Sequence, residues 1–169
     1  MAAESSNNPG EVAAAESAEV LEFSLGTELY ALDINIVREI VEMIPITAIP
    51  RAPVHIRGVI NLRGEIVNIV NLNTFLKLPD RPITRDQKII VLMADVANGN
   101  NVGVIVDNVR SVTEISASQV DYMTASLAGN NSQYIKGIIN AGKDAQEKED
   151  KSLIIWLDVH KMFKDIEKT

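Results

Sequence analysis

The sequence predicts a mainly β protein made of two related small β-barrels, with short helices that include one near the C-terminal end. Three observations carry this. Short runs of Val, Ile and Leu alternate with polar residues, as half-buried strands do. Turn residues separate those runs at close intervals, the signature of barrels rather than of a parallel sheet. One segment of the first half also recurs in the second: "HIRGVINLRG" at 55–64 is matched by "YIKGIINAGK" at 134–143. Upstream of each copy a strand ends in Asp, "YALD" at 30–33 and "VIVD" at 104–107, and downstream follow the β runs "EIVNIVNL" and "SLIIWLDV". So long a period is no solenoid unit, and it fits duplicated barrels divided near the linker "LPDRPITRD" at 78–86.

The elements follow in order. Runs at 20–25 and 28–33 flank a Gly-Thr pair and read as a hairpin. Further strands are expected at 37–44, 59–62, 65–72, 88–94, 101–107, 109–115, 134–140 and 152–157. "VANGN" at 96–100 is a hairpin turn, since Asn and Gly tolerate positive φ. Short helical turns fit 35–38 and 73–76. A last helix at 158–164 starts on Asp158, a good N-cap, and spaces Val159, Met162 and Phe163 along one stripe.

Composition excludes several classes of function. The 169 residues are 46% hydrophobic but only 4% aromatic, so aliphatic side chains must build the core. Without cysteine there is no disulfide and no thiolate chemistry, which fits a cytoplasmic protein. The start lacks the basic flank and apolar stretch of a signal peptide, and no apolar run is long enough to span a bilayer. Residues 1–18 are small and acidic and are expected to be a disordered tail. The net charge of −7 argues against nucleic acid as a partner. "GKDAQEKEDK" at 142–151 reads as a solvated loop. No phosphate-binding loop, metal-ligand spacing or catalytic dyad stands out, and His55 and His160 are far apart in sequence. A small barrel enzyme with an acidic cleft is thus unsupported; no cofactor, metal or catalytic residue is expected.

One residue stands out within the repeat. Arg63 sits in the turn of "NLRGE", whereas the second copy has Ala141 alone before its Gly and lacks that charge. A guanidinium is a planar fork of donors, suited to carboxylates or carbonyls across an interface. It is equally suited to a local pair with Glu39 or Glu65. The residues alone leave both readings open.

Three segments, "FSLGTELYALDINIVREI", "IRGVINLRGEIVNIVNL" and "VGVIVDNVRSVTEI", resemble successive signature segments of the bacterial chemotaxis coupling (CheW-like) family. The resemblance covers residues 19–164. It implies two five-stranded SH3-like β-barrels packed side by side, roughly 19–80 and 86–157, with a groove between them. It further implies a non-catalytic cytoplasmic scaffold, recruited to membrane-associated arrays, that couples transmembrane chemoreceptors to the histidine kinase CheA. The alternatives it leaves are a CheW-like regulatory piece of a CheA-type or CheV-type protein, or an adaptor of a non-flagellar chemosensory pathway. The tail and the C-terminal helix favour a free-standing protein.

Carried over residue by residue, the resemblance implies receptor contact at Val37, Glu39, Gly58 and Arg63 in the first half. In the second half it implies contact at Val102, Gly103, Val109 and Val112. Val102, Val109 and Val112 also read as ordinary core, Gly58 as a bulge and Gly103 as relief of strand crowding. Contact with the regulatory domain of CheA falls on Met43 and Ile44, which precede Pro45 and so suit an exposed edge. A second kinase surface falls on Leu127 in "YMTASLAGNNSQ", a mobile loop by its turn chemistry. The chain departs from the family pattern at Asn68, where Pro is common, and at Asn71, where Asp is common. The receptor is expected to offer a helical tip to the groove.

Overall fold

The computed structural model describes residues 17–122, 133–140 and 153–166. The tail up to residue 16, Leu127 with most of its loop, and the insert 142–151 lie outside the described residues. The strands, in chain order, are β1 (Ser17–Leu25), β2 (Glu28–Asp33), β3 (Val37–Glu42), β4 (Ile56–Leu62), β5 (Glu65–Val70) and β6 (Lys88–Leu92). They continue with β7 (Val102–Val106), β8 (Asn108–Ser116), β9 (Val120–Asp121), β10 (Ile135–Asn140) and β11 (Leu153–Leu157). Two short helices close the halves, α1 (Leu72–Leu76) and α2 (Val159–Ile166). Each starts on an Asx cap: Asn71 Oδ1 accepts from the N–H of Asn73, and Asp158 Oδ1 from that of Lys161. The expected stripe on the last helix is buried, with Val159, Met162 and Phe163 all 5% exposed or less.

The expected barrels require correction. The strands form a six-stranded sheet in the order β8-β1-β2-β11-β10-β9 and a five-stranded sheet in the order β3-β6-β7-β5-β4, and neither closes into a barrel. In the first, β8 and β9 remain as two separate edges; in the second, β3 and β4 do. Beyond β4 the described residues add a single bridge, Thr47 to Val59. Alternation told which strands are half-buried, but closure depends on whether the last strand meets the first, and no local pattern encodes that. Both sheets are mixed, because β2 pairs parallel with β11 and β5 pairs parallel with β7.

Those parallel pairs show how the halves are interleaved. The hairpin β1–β2 lies in the sheet otherwise built from β8 to β11, and β6–β7 lies in the sheet built from β3 to β5. Each half gives its first hairpin to the other. The repeat seen in the sequence has the same geometry twice. A register shift falls between Ile56 and Gly58 in β4, and between Ile135 and Gly137 in β10. Both glycines are buried where the chain crosses close, so that a Cβ on Gly58 would lie 2.3 Å from the Thr47 carbonyl oxygen, and one on Gly137 would lie 2.7 Å from Val120 Cγ1. The strand-end acids pin the exchange. Asp33 on β2 accepts from Lys136 Nζ at 2.8 Å and Trp156 Nε1 at 2.6 Å. Asp107, after β7, accepts from the Gly26 N–H at 2.6 Å, from Arg81 at 2.7 Å and from Gln87 at 3.0 Å.

Each sheet buries one face privately and shares the other. Val20, Ala31, Ile139, Ile154 and Trp156 form the private cluster of the six-stranded sheet, and Ile60, Val67, Ile69, Ile89 and Val91 that of the five-stranded sheet. The larger cluster lies between the sheets. It takes Leu21, Phe23 and Leu32 from one, Ile90, Leu92 and Val104 from the other, and Met162 and Phe163 from α2. Glu22 is the one buried charge among the described residues, and Thr113 Oγ1 donates to its carboxylate at 2.8 Å.

Candidate partner-binding surface

The hairpin β4–β5 turns through two residues, since Leu62 pairs with Glu65 across Arg63 and Gly64. Both have positive φ, +51° at Arg63 and +89° at Gly64. A two-residue loop needs that twist to match the strands, and Gly or Asn usually supply it. Arg63 therefore holds a left-handed backbone that an L side chain adopts at a cost. Its guanidinium donates to both oxygens of Glu39 on β3, at 2.6 and 2.5 Å. Arg38 sits beside this pair, 3.5 Å from Glu39 and 3.1 Å from Glu65. The bond from Arg63 is the main cause holding the Glu39 carboxyl below its ordinary range, and Glu39 in turn pushes the Arg63 pKa up. The local pair that the sequence left open is thus formed, in a partly exposed four-charge network at the sheet edge.

The valines split by depth. Val37 on β3 faces Leu92, and Val109 on β8 faces Phe23, each next to a register shift in its ladder. Both are half-buried against the cluster between the sheets. Beyond each shift comes an exposed aliphatic, Ile40 on β3 at 42% and Val112 on β8 at 51%. Val102 is buried in the same shared cluster, while Gly103 turns to the private cluster below. There a Cβ would meet Ile89 Cγ2 at 3.0 Å, so Gly103 keeps β7 close to its neighbours.

Comparison with known proteins decides what this surface belongs to. The model of the CheW-like domain family matches residues 19–167. The chemotaxis protein CheW of Treponema pallidum is 31% identical over 88% of this chain and 83% of its own length. That of Thermotoga maritima is 32% identical over 88% of this chain and 89% of its own. The crystal structure of the scaffolding protein TtCheW from Thermoanaerobacter tengcongensis superposes with a TM-score of 0.68 at 30% identity, covering 84% of this chain and 89% of that one. The chain belongs to the CheW-like domain family. Membership makes it a non-catalytic scaffold that couples chemoreceptors to the histidine kinase CheA. Among the described residues no three His, Asp or Glu gather as a metal site, and no helix is long and apolar enough to cross a membrane.

On this CheW-like frame the sequence-derived receptor residues fall into three places. Val37, Glu39 and Arg63 gather at the β3 edge, Val109 and Val112 lie on β8, and Gly58, Val102 and Gly103 are buried beneath. Met43 and Ile44 follow β3 and are half-buried against the private cluster of the five-stranded sheet. Ile40, Ile66 on β5 and Leu153 on β11 are among the exposed apolar groups the sequence reading passed over; Ile66 and Leu153 are 58% and 53% exposed. Their signal was available: each shares its strand face with residues of the shared cluster, but lies where the opposite sheet no longer covers it.

Proposed function

We propose that the chain joins the helical cytoplasmic tip of a chemoreceptor to the regulatory domain of CheA, at the cytoplasmic face of a receptor array. The receptor lies along the edges β3 and β8, touching Val37, Glu39, Arg63, Val109 and Val112, while Gly58, Val102 and Gly103 shape the surface from beneath. CheA docks on the segment of Met43 and Ile44, with Leu127 on a second surface. No nucleic acid is bound and no part inserts in the bilayer. The coupling unit takes in residues 19–164, and Ser17 and Ala18, expected in the acidic tail, are the first residues of β1 and pair with β8.

One observation carries the receptor face: two edge strands from opposite halves bring their half-buried valines to the same apolar cluster between the sheets. An amphipathic helix needs such an apolar seat with polar margins, and the four-charge network at Arg63 supplies a margin. Individually modest contacts gain strength when repeated in an array. The test is receptor-dependent activation of CheA by Val112→Asp and Arg63→Ala proteins. Both are expected to melt as the parent does and to lose most of the activation. Full activation by both, with normal folding, would sink the receptor face.

A further inference from the structure

Between β5, β7 and α2 lies an open pocket of ≈ 250 Å³, walled by Ile56, Val70, Ala97, Val102 and Phe163. Small-molecule sites run to about 300–1,000 Å³, so this one matches a single long side chain rather than a metabolite. Two amides complete its lining, Asn68 and Asn100. Asn68 Nδ2 donates to the Asn101 carbonyl oxygen at 3.3 Å, and Asn100 Nδ2 to that of Ala97 at 3.0 Å. Only the NH₂ end of an amide can donate to a carbonyl, so these bonds fix which way each amide is turned. Both Oδ1 atoms are left with no donor among the described residues, and no charged side chain lines the pocket.

We propose that this pocket receives one glutamine-class side chain, aliphatic in its stem and amide at its tip, from the helical tip of the receptor. The proposal rests on the receptor reading above, in which Val102 shapes that face from beneath. The stem would pack on Val70, Val102 and Phe163. The tip brings two N–H donors to the two waiting oxygens. An aliphatic tip would strip water from both Asn oxygens and give nothing back. A lysine or arginine tip would place a charge where no carboxylate faces it.

The experiment titrates the full chain against a receptor cytoplasmic fragment and, separately, against the regulatory domain of CheA. Asn68→Leu is expected to lower affinity for the receptor fragment about tenfold, the loss of one desolvated hydrogen bond, and to leave CheA binding unchanged. Exactly one groove-facing Gln→Leu change in the fragment should cost as much against the parent and nothing more against Asn68→Leu, a closed double-mutant cycle. Should Asn68→Leu fail to fold, Asn100→Ala, in the exposed loop before β7, carries the same expectation. If the parent binds no receptor fragment, the receptor face itself falls, and this pocket with it. If the parent binds and neither Asn variant weakens it, or a Gln→Lys fragment binds more tightly, the pocket proposal alone is overturned.

Discussion

Gly58 and Gly64 lie six residues apart and ask for glycine for different reasons. At Gly58 φ is +151° and an added Cβ would run into the Thr47 carbonyl oxygen, a backbone atom that cannot step aside. Gly58→Ala should therefore cost at least about 2 kcal/mol in urea denaturation, from strain and clash together. At Gly64 φ is +89° but nothing lies within 4 Å, so Gly64→Ala should cost only about 1 kcal/mol. A larger loss at Gly64 than at Gly58 would contradict this division. Arg63 poses the complementary case, a bulky residue at a left-handed position between them. Asn is at home there, so Arg63→Asn should hold or gain thermal stability while receptor coupling is lost. A clear drop in melting temperature would show that the pair with Glu39 serves the fold. The sequence marked Arg63 by contrast with the second copy, which lacks a charge at that position, but could not choose its partner, because Glu39 approaches only once β3 and the hairpin are assembled.

Among the elements, α2 shows how a short helix is held. Its apolar stripe fills the shared cluster, and Tyr134, just before β10, donates from its hydroxyl to Asp165 at 2.9 Å. Phe75 of α1 stands edge-on to Tyr134, with ring centroids 5.5 Å apart, and the His55 ring lies tilted against Phe75 at 5.7 Å. Burial first, then the bond to Asp165, raises the Tyr134 phenol to about 12. The folded value exceeds the ordinary 10, so the neutral phenol is the form the fold prefers. Its contribution is complete below pH 10 and is lost as pH rises through about 12. Tyr134→Phe should flatten that alkaline loss and lower stability near neutrality by about 1 kcal/mol, the carboxylate being partly solvated. An unchanged alkaline profile in the variant would remove Tyr134 as the cause. The helix was legible in the sequence because cap and stripe are local. Which strands form the sheet edges was not, since β3 and β8 alternate much as inner strands do.

For the whole molecule, the exchanged hairpins make the two halves interdependent. Residues 17–80 alone would keep β3, β4 and β5 but lose the inner strands β6 and β7 that join them. The fragment 86–166 would lack β1 and β2 between β8 and β11 in the same way. Neither fragment should unfold cooperatively by itself, whereas the two mixed together should regain a single transition in calorimetry. A cooperative transition in either fragment alone would contradict the exchange. The repeat and ten of the eleven strands could be read from the sequence, the short β9 being missed. The exchange could not, because both copies offer similar apolar ladders and local patterning fixes a strand's face rather than its neighbour. Barrel closure was over-read for the same reason.

The parallel join of β2 to β11 also sets an order of events during synthesis. Leu29, Tyr30 and Ala31 pair with Ile154, Ile155 and Trp156, at nearly opposite ends of the chain. A ribosome must deliver the chain as far as Trp156 before β2 finds its second neighbour. Until then the β1–β2 hairpin waits with one edge open and its apolar residues uncovered, the state most prone to pairing with the wrong chain. Contacts so distant in sequence close slowly. Nascent chains that stall before Leu153 should therefore be the ones that recruit chaperones.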